Sequence, residues 1–166
     1  MEPASPAIRL DAEVGDDELG RLLLAAFVDR DHPDPAGAQV RLEPRRVRPR
    51  GRLIAARNGA RGELLGVAFL VAPGSGTAQV AGPDEGEIQL LAVAPDQRRR
   101  GAGRLLMEAA IAEGQRLGWA AMVLSTRPTM GPAHALYHSL GFERCAARDW
   151  IGDERPFLVF RLDLGC

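Results

Sequence analysis

The stretch from Glu87 to Leu106 constrains this chain more than any other. It reads as an apolar strand, a sharp basic turn and the opening of a helix. Ile88, Leu90 and Ala92 alternate with Gln89, Leu91 and Val93, so both faces are largely apolar, as in a buried strand. Pro95 cannot donate to a ladder and ends that strand. Arg98-Arg99-Arg100-Gly101-Ala102-Gly103 then leads into Leu105, Leu106 and Ala109, spaced for one helix face. Glycines at a helix start let the backbone approach a ligand closely. The first N–H groups there have no intrahelical partner and carry the positive end of the dipole. Such a turn suits an anion, and a diphosphate fits it. Taken alone, the same string also describes a glycine turn beside a solvated arginine run.

The rest of the chain supplies the setting. A short strand is predicted around Ile8–Leu10, after a loose start at residues 1–6. Leu19, Leu22, Leu23, Ala26 and Phe27 then form the stripe of an amphipathic helix that opens on Asp16, Asp17 and Glu18. Pro33, Pro35, Pro44 and Pro49 break the pattern, so residues 31–49 read as loop with one short helix at most. The arginines of that loop (Arg41, Arg45, Arg46, Arg48, Arg50) either contact an acidic partner or face solvent. Strands at 52–57 and 64–72 flank the turn signal Asn58–Gly62, a hairpin pattern. A Gly- and Pro-containing loop, residues 73–86, precedes the central strand. The following helix ends near Leu117, weakened by Gly114 and capped by Gly118. An apolar strand at 121–125, a helix from Pro128 to Leu140 and two strands at 142–148 and 157–164 complete the order. Three consecutive strands followed by two helical crossovers indicate a mixed sheet, not a doubly wound one.

Composition narrows the chemistry. The chain has 166 residues, 46% of them hydrophobic, and a net charge of −1, which suits a single soluble domain. Near-neutral charge gives no general pull toward nucleic acid or anionic membrane. No apolar run reaches membrane-spanning length and the first fifteen residues lack a signal pattern, so the expected location is the cytoplasm. Cys145 and Cys166 lack metal or disulfide-framework spacing. All 21 basic residues are arginine, which excludes a Walker-type phosphate loop and a pyridoxal Schiff base, since both need lysine.

Two motifs in this order resemble the GNAT superfamily of acetyl-CoA-dependent N-acetyltransferases. One is the pyrophosphate signature at Arg98–Gly103; the other is the run Ala133-His134-Ala135-Leu136-Tyr137-His138-Ser139-Leu140-Gly141-Phe142. The resemblance covers roughly residues 8–163. It implies an α/β (α+β mixed) GNAT fold, with a mixed, mostly antiparallel sheet of about six to seven strands and helices on both faces. It implies acetyl-CoA as co-substrate, no metal, and an amine acceptor on a small molecule or peptide. The backbone of Arg98, Arg99, Arg100, Gly101, Ala102, Gly103 and Arg104 would hold the diphosphate. Leu91, Ala92 and Val93 would meet the acetyl carbonyl and pantetheine arm, with Met130 and Ala133 also on the cofactor. Many members carry Asn where this chain has Met130. Tyr137 would act as general acid near the thioester sulfur, and Glu87 stands where several members carry a carboxylate base.

Residue chemistry leaves alternatives beside each role. An alkyl amine with a pKa of about 10 is mostly protonated at neutral pH, so a base helps. Glu87 could supply it if buried, or could be a surface carboxylate at a strand start. Tyr137, the single tyrosine, could donate from the edge of its helix stripe or simply pack. His134 and His138 have zinc-compatible spacing but no third ligand, and they read as surface histidines opposite the apolar stripe. Rival readings are another acyl-CoA or an alcohol acceptor, a non-catalytic acyl-CoA-binding regulator, and nucleic-acid binding through Arg41–Arg52. Quaternary state stays open, with a homodimer among the options.

Overall fold

The structure, a computed structural model, describes residues 6–28, 34–98 and 100–165. In chain order it has β1 (Pro6–Leu10), α1 (Asp16–Phe27), α2 (Pro35–Arg41), α3 (Pro44–Val47), β2 (Arg52–Asn58), β3 (Leu64–Val71) and β4 (Glu85–Val93). Then follow α4 (Ala102–Arg116), β5 (Ala121–Thr126), α5 (Gly131–Ser139), β6 (Glu143–Arg144), β7 (Trp150–Gly152) and β8 (Arg155–Asp163). The eight strands run in the order β1-β2-β3-β4-β5-β8-β6, with β7 paired to β8. β4 and β5 are parallel, as a helical crossover through α4 requires. The β1–β2, β2–β3, β5–β8, β6–β8 and β7–β8 pairs are antiparallel. The mixed, mostly antiparallel sheet therefore has eight strands against an expected six to seven. Among the described residues no helix is long and apolar enough to cross a membrane.

Two compact units divide the chain: one holds the residues up to Leu70 together with Leu90–Ala109, the other Val71–Gln89 and the residues from Ala110 on. In the first unit α1 buries Leu19, Leu22 and Leu23 against Val47, Leu53, Val67 and Phe69. Each such side chain contributes about 1.5–3 kcal/mol, which makes this stripe the main reason the helix is stable. Pro35 and Pro44 do not break helices here; each sits in the first turn of one. Proline lacks only an N–H that has no partner at that position, and its fixed φ suits the helix. Asp34 caps α2 by accepting from the Gly37 N–H at 3.0 Å. The expected loop at residues 31–49 is thus largely helical where described.

In the second unit Trp119 lies between a strand and a helix. A Cβ on Gly86 of β4 would stand 2.2 Å from its ring, and one on Gly114 of α4 3.2 Å. Gly114 therefore buys close packing at the cost of helix propensity. Gly118, at φ +75°, closes α4 as expected. The expected strand at 142–148 is instead the two-residue β6, a 3-10 turn at Ala146–Arg148 and then the β7–β8 hairpin. Asp149 accounts for the break: it accepts from the Val159 N–H at 3.0 Å and pairs with Arg144 at 2.7 Å.

Candidate functional site

The basic turn has the geometry an anion needs. Gly101 has φ +82°, a conformation strained for other residues, and nothing lies within 4 Å of where its Cβ would be. The first intrahelical bond of α4 runs from the Leu105 N–H to the Gly101 carbonyl at 3.0 Å. The N–H groups of Ala102 and Gly103 precede it in the first turn, where helix geometry leaves donors without intrahelical partners. Arg98 and Arg100 are exposed, and Arg98 donates to the Ala26 carbonyl at 3.4 Å. Arg104 lies 3.8 Å from Glu108. Arg99 falls outside the described residues. These groups fit a diphosphate: open backbone, oriented donors and cations.

Upstream, the β4–β5 register runs from Glu85↔Ala121 to Ile88↔Leu124. Two residues later Leu90 adopts φ +52°, uncommon for a branched side chain. Leu91 and Val93 follow it, half-buried, with Ala92 buried between them. The Ala92 carbonyl would stand 2.8 Å from a Cβ on Gly66, so β3 and β4 approach closely there. Leu91, Ala92, Val93 and the turn belong to the first unit; Glu87, Met130, Ala133 and Tyr137 belong to the second.

Tyr137 is buried, with its ring 5.6 Å from that of Phe160 and 6.1 Å from that of Phe142. Burial pushes its phenol up to about 12, although a hydrogen bond with the Thr126 side chain pulls the other way. The hydroxyl thus remains a proton donor throughout the neutral range. Met130 occupies the N-cap of α5 without a side-chain cap bond, and Thr126 Oγ1 lies 3.8 Å from its sulfur. Ala133 is half-buried on the first turn. The histidines are not opposite the packed side: His134 and His138 rings lie 5.5 and 5.4 Å from Phe160. His134 Nε2 is also 3.0 Å from the Arg127 carbonyl. Among the described residues no group of three metal-ligating side chains occurs.

Glu87 is 1% exposed, which corrects the surface alternative. Its Oε2 accepts from the N–H groups of Gln79, Val80 and Ala81, each at 3.0 Å, and Oε1 accepts from Gln89 Nε2 at 3.0 Å. Three successive backbone donors around one oxygen form an anion-binding nest, here filled by the chain's own carboxylate. A base must offer a lone pair to an incoming proton, and these are already committed. Two residues away, Glu85 accepts from Gly82 N–H and binds Arg148 and Arg161, both at 2.7 Å. Desolvation would raise its carboxyl, but Arg148, the Gly82 N–H and Arg161 outweigh it and hold the group at about 2. Arg148 also donates to the Val80 carbonyl at 2.7 Å. Sequence reading missed this loop clamp, and Thr126 beside Tyr137. Its one available signal was two glutamates spaced to share a strand face.

Comparison with known proteins agrees with the motifs. Residues 17–142 match the model of the acetyltransferase (GNAT) family. The [Ribosomal protein bS18]-alanine N-acetyltransferase of Escherichia coli K12 is 42% identical over 65 residues, 39% of this chain and 44% of that protein. The match therefore spans less than half the length of that curated relative. A Bacillus subtilis acetyltransferase solved in complex with CoA superposes with a TM-score of 0.66 and 26% identity, over 96% of this chain and 99% of the other. The Escherichia coli ribosomal-protein-S18-alanine N-acetyltransferase structure gives 0.68 and 22%, over 98% and 96%.

Proposed function

The chain belongs to the GNAT acetyltransferase family, and from that premise we propose that it transfers the acetyl group of acetyl-CoA directly to a primary amine of a small molecule or peptide. The observation that carries this reading is the Gly101 turn at the start of α4, with its left-handed glycine and open space. Acetyl-CoA supplies an activated acetyl thioester when bound. Backbone donors from Arg98 to Arg104 would hold its diphosphate, and Leu91, Ala92 and Val93, after the turn in direction at Leu90, would orient the acetyl carbonyl and pantetheine arm. Met130 and Ala133 would line the arm at the start of α5. Tyr137 would present its proton to the sulfur as general acid, with Thr126 fixing the hydroxyl.

Glu87 takes a different part in this scheme from the one its position suggests. With its oxygens filled, it acts by shaping residues 79–81, as a positioning residue. With Glu87 held in that structural part, an acceptor that brings its own neutral fraction is favoured. An ε-amine near pKa 10.4 is neutral about one part in a few thousand at pH 7, whereas an α-amine near 7.7–8.0 is neutral at about one part in ten. That difference, about 3 kcal/mol, favours an α-amino acceptor. The alanine acceptor in the names of the curated relatives supports the same class.

A thermal melt with acetyl-CoA at about 100 times Kd tests the cofactor. Linkage gives about 2.7 kcal/mol of stabilisation, a rise of roughly 5–11 °C for a chain of this size. No rise would sink the reading. Tyr137→Phe is expected to cut kcat by about 100-fold or more while leaving acetyl-CoA affinity nearly unchanged; unaltered turnover would remove Tyr137 from the chemistry.

A further inference from the structure

The β7–β8 hairpin carries a cluster to which the scheme above gives no work. Its register pairs Trp150 with Phe157 and Gly152 with Arg155. Trp150 and Phe157 stack, with ring centroids 4.6 Å apart and planes 14° from parallel. Gly152 permits this: a Cβ there would stand 2.5 Å from the Trp150 ring. Arg155 and Phe157, two apart on β8, share one face of the hairpin. β5 pairs Thr126 with Leu158, which brings the next residue, Arg127, alongside Phe157. The Arg127 guanidinium lies over the Phe157 ring, 5.7 Å from its centroid.

A second guanidinium, that of Arg155, stands near enough for its charge to act on Arg127, and neither forms an ion pair with a carboxylate among the described residues. Arg48, Arg52, Arg57, Arg148 and Arg161, all likewise half-buried, each meet one. Asp153 and Glu154 are next in sequence, yet the two-residue turn holds both at left-handed φ, +49° and +61°, and neither forms an ion pair with Arg155. Desolvation and then the charge of Arg155 make the Arg127 cation less favourable than usual, so the pair lacks a compensating anion. The Trp150 indole N–H is buried without an acceptor among the described residues.

We propose that this platform is a subsite for a carboxylate borne on an apolar or aromatic body: the fork of one or both guanidiniums takes the carboxylate and the Trp150–Phe157 stack takes the body. That this carboxylate belongs to the acetyl acceptor rests on the acetyltransfer reading; the anion site itself does not.

The direct test follows the two indole N–H resonances of the isotope-labelled protein during titration with benzoate, its neutral match benzamide, inorganic phosphate, and sodium chloride at equal ionic strength. The expected result is a saturable shift of the Trp150 resonance with benzoate alone, weakened about tenfold or more in R127Q/R155Q. The Trp119 resonance reports that the variant is folded, and R127K/R155K, which keeps charge but loses the fork, substitutes if it is not. A shift equal to that in sodium chloride or benzamide, or one that survives the substitutions, overturns the site. A stronger response to phosphate overturns the carboxylate. Kinetics then test the assignment to the acceptor. An amine with a carboxylate should show a lower KM than its amide, and R127Q should erase that gap with kcat little changed. Equal KM values would detach the subsite from the acceptor, whereas failure of every amine to be acetylated would sink the transferase reading and leave the titration result in force.

Discussion

Two groups of arginines in this chain differ in what stands beside them. In the Arg41–Arg57 stretch, where arginine is densest, Asp34 meets Arg41 at 3.3 Å, Glu43 meets Arg45 at 2.7 Å and Asp16 meets Arg48 at 2.7 Å. Asp11 meets Arg52 at 2.8 Å, and Glu18 takes both arms of Arg57 at 2.6 and 2.9 Å. Arg127 and Arg155, isolated in sequence, have no such partner among the described residues. Density of charge along a chain is therefore a poor guide to charge available for a ligand. The crowded stretch meets carboxylates of its own unit, several of them in exposed pairs.

That contrast can be broken most sharply at the strongest internal pair. Glu85→Gln would leave Arg148 half-buried without its carboxylate and Arg161 with only Asp163. A loss of about 3 kcal/mol is expected, read as a fall in Tm of roughly 6–12 °C. The sign of its pH dependence is fixed. The folded carboxyl lies at about 2, below its ordinary 4.5, so its stabilisation is complete above 4.5 and is lost as pH falls through 2. Urea unfolding at pH 5.5 and pH 2 should show the wild type losing about 3 kcal/mol more than the variant. Equal acid sensitivity would mean that this cluster is not what clamps the loop.

Arg57→Gln comes next. Its fork also reaches the Gly62 and Glu13 carbonyls, and its hydrogen bond is the main reason Glu18 stays below its ordinary range. About 1–2 kcal/mol is expected from denaturant midpoints, with little change in salt because the pair is partly buried. The smallest effects fall at the two extremes of the comparison. Arg41→Gln removes an exposed pair, so its cost should stay below about 0.5 kcal/mol and vanish at high salt. Arg127→Gln should be neutral or slightly stabilising, since it relieves repulsion from Arg155. A loss above about 1 kcal/mol would reveal an unrecognised internal partner.

How far the sequence speaks depends on the distance over which a signal acts. α1 and α4 were legible because an apolar stripe at helical spacing is local, and Gly101 because a left-handed turn leaves a glycine behind. Pro35 and Pro44 misled because the same residue that breaks a helix interior begins one. The β7–β8 turn left no mark, since Asp153 and Glu154 take left-handed angles where Asn and Gly ordinarily announce a hairpin. Tyr137 was singled out through its motif, but its raised phenol depends on burial among side chains such as Phe142 and Phe160, against which the Thr126 hydrogen bond pulls. Glu87 was placed on the right strand, yet its work is set by backbone donors from a loop six to eight residues upstream. Arg127 and Arg155 are adjacent only because β5, β7 and β8 pair as they do.

The packing of Trp119 against Gly86 and Gly114 has an optical consequence. The chain has two tryptophans, and both lie in the unit that begins at Val71. Intrinsic fluorescence therefore watches one unit and is blind to the melting of the other, while far-ultraviolet circular dichroism sums both. Coincident transitions by the two probes would establish that the units unfold as a single cooperative body. If the fluorescence trace lagged or led, ellipticity changing without it would isolate the stability of the unit that carries the Gly101 turn, with no label added.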